Sequence, residues 1–160
     1  MREHGFTIIE TILVLCIFIF LLTTTLALWP GHLHKHQLER IARELVADIR
    51  YLQQRSLTDN SSFYDIRFST ASTGHYYELR LAEGNQMKRI KRVYLPEGIE
   101  FAAFTFNDTT MSFTPKGTSA NPGTIAMVHR GLNKFIYIKV AVTTSRVRMT
   151  YLNTNQSDEK

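Results

Sequence analysis

A single carboxylate stands at the start of the longest apolar stretch of the chain. Glu10 is followed by residues 11–29, which include no charged side chain. A carboxylate in a membrane-spanning segment costs free energy of insertion, roughly 2.5–3.5 kcal/mol at the bilayer centre and less near the interface. Such residues therefore usually have a partner and a function. An amine is the natural partner, because leaving one member of a buried ion pair alone is expensive. Glu10 is therefore the first candidate functional residue.

The strongest cluster of cations lies in the second half of the chain. It consists of Lys88, Arg89, Lys91 and Arg92. Phosphate binding needs clustered Lys and Arg and no particular fold, so one interpretation is a contact with the DNA backbone. The other interpretation is a solvated strand whose charges discourage edge-to-edge aggregation. The sequence leaves both open.

Other chemistry finds little support in the sequence. There is no nucleophile–base arrangement, no Gly-rich phosphate loop and no Cys/His cluster with ligand spacing, so we expect a protein that is not an enzyme and uses no cofactor. One interpretation of three closely spaced histidines, His32, His34 and His36, is a metal site. The better interpretation is that their side chains are solvated near lipid headgroups. Cys16 is the one cysteine and excludes an intrachain disulfide. The net charge of +5 favours anionic partners such as nucleic acid or a membrane surface.

The residues around Glu10 form a motif. They are Gly5-Phe6-Thr7-Ile8-Ile9-Glu10. Followed by an apolar helix, they resemble the leader and cleavage site of type IV pilins and pseudopilins, where a short charged leader ends in Gly and Glu is the fifth mature residue. The resemblance implies cleavage between Gly5 and Phe6 by a prepilin peptidase, with N-methylation of Phe6. The Phe6 amine and Glu10 of adjacent subunits would then neutralise each other and fix the register of assembly.

Two simpler interpretations of the N-terminus compete with this one. A cleaved secretory signal is disfavoured because the charge-free stretch exceeds the usual apolar region of roughly 7–15 residues. Its best small-residue cleavage site, Thr25-Leu26-Ala27, is mediocre. A secretory signal would also gain nothing from the carboxylate of Glu10 at the start of the apolar segment. A plain membrane anchor is the second alternative.

The hydropathy pattern predicts a long helix that positions the motif. We expect a leader at 1–5, a transmembrane and assembly helix at 6–29 and an amphipathic continuation at 30–57. Residues 11–29 would reach roughly 28 Å as a helix, against a hydrocarbon core of about 30 Å. Pro30 should kink the helix. Beyond it, apolar residues recur at helical spacing: Leu38, Ile41, Ala42, Leu45, Ile49 and Leu52.

The remainder of the chain has the alternation of a β-rich domain at 62–152, followed by a flexible tail at 153–160. Strands are predicted at 62–68, 76–81, 87–95, 99–106, 110–113, 124–128, 135–142 and 146–152. Breakers such as Pro96, Gly117 and Gly123 fall between them. The expected fold class is thus α+β, with the long helix packed on an antiparallel two-sheet domain of the pilin type.

The β-rich half carries a second resemblance. Phe113 and Gly117, then Gly123-Thr124, then Ser145-Arg146 before the last strand are similar to the H-type minor pseudopilin pattern. That family has Gly where this chain has Ser145, so the final turn should differ. With no disulfide, the chain is most similar to minor pseudopilins of Gram-positive competence systems, which build a short fibre for DNA uptake.

These resemblances imply a function in natural transformation. The chain would be a non-enzymatic structural subunit, held in the cell membrane as a single-pass precursor with a cytoplasmic N-terminus, then assembled at the cell surface. Its partners would be a prepilin peptidase, other major and minor pseudopilins, membrane lipid, indirectly the assembly ATPase and membrane platform, and DNA as a further candidate. A minor pseudopilin of type II secretion or of a type IV pilus is one alternative. A single-pass DNA-binding receptor that never polymerises is another.

Overall fold

The computed structural model describes residues 7–27, 30–59, 63–71, 74–84, 86–141 and 144–152. This part of the chain forms two helices and eight strands in two antiparallel sheets. The helices are α1 (Ile8–Ala27) and α2 (Pro30–Thr58). The strands are β1 (Phe63–Ala71), β2 (Gly74–Glu83), β3 (Gln86–Tyr94), β4 (Ile99–Phe104), β5 (Thr110–Phe113), β6 (Thr124–His129), β7 (Lys134–Val140) and β8 (Val147–Leu152). The chain divides into two compact units, Met1–His34 and Lys35–Lys160.

The expected single long helix, transmembrane and then amphipathic, is wrong. α1 ends at Ala27 and α2 begins at Pro30. The physical reason is Pro30, which has no backbone N–H to donate to the preceding turn but suits the first position of a new helix. Within the described residues, no helix has both the length and the apolar character needed to cross a bilayer. The expected pilin-type fold class is corrected accordingly.

The amphipathic stripe predicted for α2 is confirmed. All six of its apolar residues are at most 3% exposed: Leu38, Ile41, Ala42, Leu45, Ile49 and Leu52. They share one hydrophobic core with inward-facing residues of both sheets. The helix therefore gains its stability from packing one face against the β-domain rather than from local propensity.

Each of the eight predicted strands is present, with shifted ends. The first sheet has the order β3-β2-β1-β5 and the second β4-β6-β7-β8. Side chains on β7 alternate between buried and less buried positions, as the period of two requires, whereas β1 also buries Asp65 between Tyr64 and Ile66. The edge strands are β3 and β5 in the first sheet and β4 and β8 in the second.

Aromatic side chains join the two sheets. The ring of Phe68 on β1 lies 5.3 Å from that of Phe101 and 5.1 Å from that of Phe104, both on β4. Phe106 lies 5.7 Å from Phe68. Such offset and edge-on pairs add about 0.5–1.5 kcal/mol each beyond the area that they bury. The core of the second unit thus draws its residues from α2 and both sheets.

Candidate functional site

The predicted processing site is only partly described. Gly5 and Phe6, the leader at 1–5 and the tail at 153–160 lie outside the described residues, as does Trp29. Glu10 lies in the first turn of α1 and is exposed. Cleavage after Gly5 and methylation of Phe6 therefore stay predictions.

Glu10 takes part in the N-terminal cap of α1. Its backbone N–H donates to the carbonyl oxygen of Thr7 at 3.1 Å and lies 3.4 Å from the Thr7 hydroxyl oxygen. That hydroxyl donates in turn to Oε2 of Glu10 at 3.5 Å. Thr7 at the N-cap and Glu10 three residues on thus form one half of a capping box, while the carboxylate of Glu10 accepts from the Thr7 hydroxyl. The negative charge also lies favourably at the positive end of the helix dipole.

The surface of α1 is apolar on all sides. Twelve large apolar side chains between Ile8 and Leu22 are exposed, and each keeps between 52% and 82% of its surface accessible. A helix that is hydrophobic all round is stable only when something covers it, such as lipid or other apolar helices. The free energy at stake is large, at roughly 25 cal/mol for each Å² covered. Contact with lipid or with other apolar helices would therefore stabilise α1.

The cations predicted as a DNA contact all lie on the edge strand β3, and each has a carboxylate partner. Lys88 Nζ lies 3.3 Å from Glu83, Arg89 Nη1 lies 3.6 Å from Glu78, and Arg92 also pairs with Glu78. Lys91 Nζ lies 2.9 Å from Glu44 and 2.8 Å from Asp48, both on α2. Four cations thus face four carboxylates: Glu44, Asp48, Glu78 and Glu83. This neutralisation weakens the case for a phosphate contact there, although the contact itself stays a prediction.

Lys91 and its two carboxylate partners belong to a polar network that is partly buried. The hydroxyl of Tyr77, whose side chain is fully buried, donates to Oδ2 of Asp48 at 2.7 Å. Burial, reinforced by this hydrogen bond, raises the pKa of Tyr77 well above its usual range. Burial lowers the pKa of Lys91, but its hydrogen bonds to Asp48 and Glu44 outweigh that effect and raise it overall. The network ties α2 to the first sheet, which is a structural role.

A second group of cations was not predicted from the sequence. Lys139 on β7, Arg148 on β8 and Arg146 just before β8 line one open concavity of about 280 Å³. They escaped notice because they are not consecutive. The alternation that makes 146 and 148 point to one face of a strand was the available signal.

Of the three histidines considered as metal ligands, the structure describes the side chain of one. The side chains of His32 and His34 lie outside the described residues, and His36 is exposed. Among the side chains that the structure describes, no three His, Cys, Asp or Glu residues are grouped as metal ligands.

Comparison with known proteins returns no matching family, no similar curated protein and no similar solved structure.

Proposed function

We propose that this chain is a minor pseudopilin, a non-enzymatic subunit of a competence pseudopilus that serves DNA uptake in natural transformation. The observation that carries the proposal is α1, an exposed apolar helix that begins two residues after the Gly5-Phe6 motif and has Glu10 in its first turn. An apolar helix that has one charged residue in its first turn can pack against the same helix of neighbouring subunits. The proposal requires no continuous helix through residues 28 and 29.

The β-domain supports a subunit whose fold does not depend on its neighbours. Its core is drawn from residues 38–147, and the largest of these side chains are almost fully buried. A domain with its own core can fold first and be carried into a fibre by a separate helix. In this proposal the precursor is held at the cell membrane and the mature subunit lies at the cell surface.

The pairing of Glu10 with a new amine is the mechanism that we propose for assembly. Cleavage after Gly5 would free the α-amino group of Phe6, and that amine would meet Glu10 of an adjacent subunit between apolar helices. Only the axial offset between neighbouring helices that brings the two charges together is tolerated, because an unpaired charge in apolar surroundings costs several kcal/mol of free energy, roughly 3–5 for a broken buried pair. A prepilin peptidase and other pseudopilins are the partners that this mechanism requires.

The N-terminus of the mature chain tests the proposal. The full chain is expressed with and without a prepilin peptidase, and its N-terminal peptide is identified by mass spectrometry. We expect a chain that begins with methylated Phe6 only when the peptidase is present, and an uncut chain when Gly5 is replaced by Leu. A chain that retains Met1 in both cultures would leave a non-polymerising receptor as the better account.

A gene deletion distinguishes a competence pseudopilus from a type II secretion pseudopilus. Deleting the gene should abolish transformation by added DNA and leave the secretion of folded proteins unchanged. Loss of secretion with normal transformation would instead indicate a type II secretion pseudopilin.

A further inference from the structure

Three cations share one outward-facing concavity at the end of the second sheet. Lys139 on β7 and Arg148 on β8 are directly opposite each other in the antiparallel register. Both are exposed, whereas their neighbours Val140 and Val147 are buried. Arg146 lies two residues before Arg148. All three line the concavity of about 280 Å³, together with Ala141 and Thr144.

The charge of this group is not balanced by the protein. No carboxylate lines the concavity, and within the described ranges none of the three cations forms an ion pair. Like charges directly opposite each other on two strands are destabilising. On β3, by contrast, every cation of the cluster has a carboxylate partner. The protein therefore retains an unfavourable arrangement here that a bound anion would relieve.

The turn that leads into β8 is held from several sides. The backbone N–H of Ala141 donates to the carbonyl oxygen of Arg146 at 3.0 Å. The side-chain amide of Gln53 on α2 donates to the carbonyl oxygen of Ser145 at 2.7 Å. The hydroxyl oxygen of Ser145 accepts the backbone N–H of Ser119 at 2.8 Å. These bonds fix the backbone that presents Arg146, so less order has to be acquired on binding.

The geometry points to the sugar–phosphate backbone of DNA as the ligand, bound at Lys139, Arg146 and Arg148. Exposed cations hold a single small anion weakly in salt, because the solvent screens them. A polyanion gains instead from counterion release at each phosphate. Arg also matches the bidentate geometry of phosphate oxygens. Ala141 is the one apolar residue of the lining, and the lining has no aromatic side chain of the kind that forms the centre of a protein–protein contact, which favours a nucleic acid over an acidic protein.

This inference deepens the proposed function and rests on it for the presence of DNA outside the cell. The binding itself does not require cleavage or assembly. A chain that retains Met1 would therefore overturn the pseudopilin proposal without touching the binding result, and the two can fail separately.

The test uses the full chain in non-ionic detergent and a labelled DNA duplex of mixed sequence, titrated at several salt concentrations. We expect the triple variant K139Q/R146Q/R148Q to bind about tenfold more weakly or worse at low salt. The slope of the logarithm of the association constant against the logarithm of salt concentration should become shallower by about 3. Each lost phosphate contact lowers the magnitude of that slope by roughly 1. The charge-keeping variant R146K/R148K should keep the wild-type slope.

A matched control separates a site from net charge. The variant R40Q/R67Q/K116Q removes the same charge from three exposed positions elsewhere, and it should bind nearly as the wild type does. Equal losses in both triple variants would overturn the inference, because net charge alone would then explain binding. So would a loss confined to K88Q/R89Q, or displacement of the DNA by polyglutamate at equal charge concentration.

A second measurement keeps the inference falsifiable should the triple variant fold poorly. The single variant K139Q removes the like-charge pair with Arg148, so it should melt at a higher temperature than the wild type without DNA. Added DNA should raise the melting temperature of the wild type more than that of K139Q. An unchanged melting temperature in K139Q, or equal stabilisation of both proteins by DNA, would contradict the site.

Discussion

The hydroxyl oxygen of Thr7 lies 3.5 Å from Oε2 of Glu10 and 3.4 Å from the backbone nitrogen of the same glutamate. Glu10 thus has a local role at the start of α1 as well as its proposed role between subunits. The two roles make different demands on the side chain. A cap needs an oxygen that accepts a hydrogen bond, whereas pairing with the Phe6 amine needs the negative charge.

Glu10→Gln separates these roles. The amide keeps an accepting oxygen but loses the charge, so α1 should still begin at Ile8 while incorporation into the fibre is lost. Processing after Gly5 should remain, because cleavage precedes pairing. The measurements are the mass of the N-terminal peptide and the amount of chain in the sheared fibre fraction.

Thr7→Ala is the matched control. It removes the cap at a cost of about 0.5–2 kcal/mol of helix stability but keeps the carboxylate of Glu10. We expect this variant to enter the fibre at a level closer to the wild type than Glu10→Gln does. The reverse order would mean that Glu10 acts through the cap and not through its charge.

Tyr77→Phe should destabilise the β-domain. The variant leaves Asp48 with one donor fewer in a buried site, and such a loss costs about 1–3 kcal/mol. Urea unfolding followed by circular dichroism measures the change. Tyr151→Phe, at a side chain that is 49% exposed, is the control and should change the free energy of unfolding by less than about 0.5 kcal/mol. Equal effects of the two substitutions would contradict the buried hydrogen bond.

The same network predicts how stability depends on pH. The folded-state pKa values of Tyr77 and Lys91 are both raised above their ordinary values of 10.0 and 10.5. Groups of this kind stabilise the fold fully below the unfolded pKa, and the contribution is lost as the pH rises. Stability should therefore fall from about pH 10 upwards, and Tyr77→Phe should show a shallower fall. Melting temperatures between neutral pH and pH 11 would test this, and parallel curves would contradict it.

Local patterns in the sequence predicted much of the fold. The spacing of Leu38, Leu45 and Leu52 placed the buried face of α2, and alternation placed all eight strands. These signals are read within a few residues, where the periods of 3.6 and 2 apply. The one long helix failed because Pro30 was expected to kink a helix that it instead begins.

The candidate sites were harder to predict because their partners are distant in sequence. Lys91 is neutralised by Asp48, which lies on a different element, and nothing local to β3 indicates that pairing. Lys139 meets Arg148 only through the register of β7 and β8. The cluster of four cations within residues 88–92 was conspicuous in the sequence and is paired with carboxylates, whereas cations that are scattered in the sequence form the open cationic surface. Register and packing decide which charges remain available, and neither is visible in composition.

Ser145 offers the sharpest test of the turn before β8. Its φ of 50° lies in the left-handed region, which costs a residue other than glycine about 1–2 kcal/mol. The hydroxyl of Ser145 offsets that strain by accepting the N–H of Ser119 in a buried site. Ser145→Ala should lose the hydrogen bond and keep the strain, and so destabilise the domain by about 1–3 kcal/mol. Ser145→Gly loses the same bond but is relieved of the strain.

The glycine variant should therefore be more stable than the alanine variant by about 1 kcal/mol, although both are less stable than the wild type. Urea unfolding of the three proteins under one condition measures the order. An alanine variant as stable as the glycine variant would contradict the left-handed backbone at this position. The turn requires a conformation that glycine adopts freely and that Ser145 holds through its bond to Ser119.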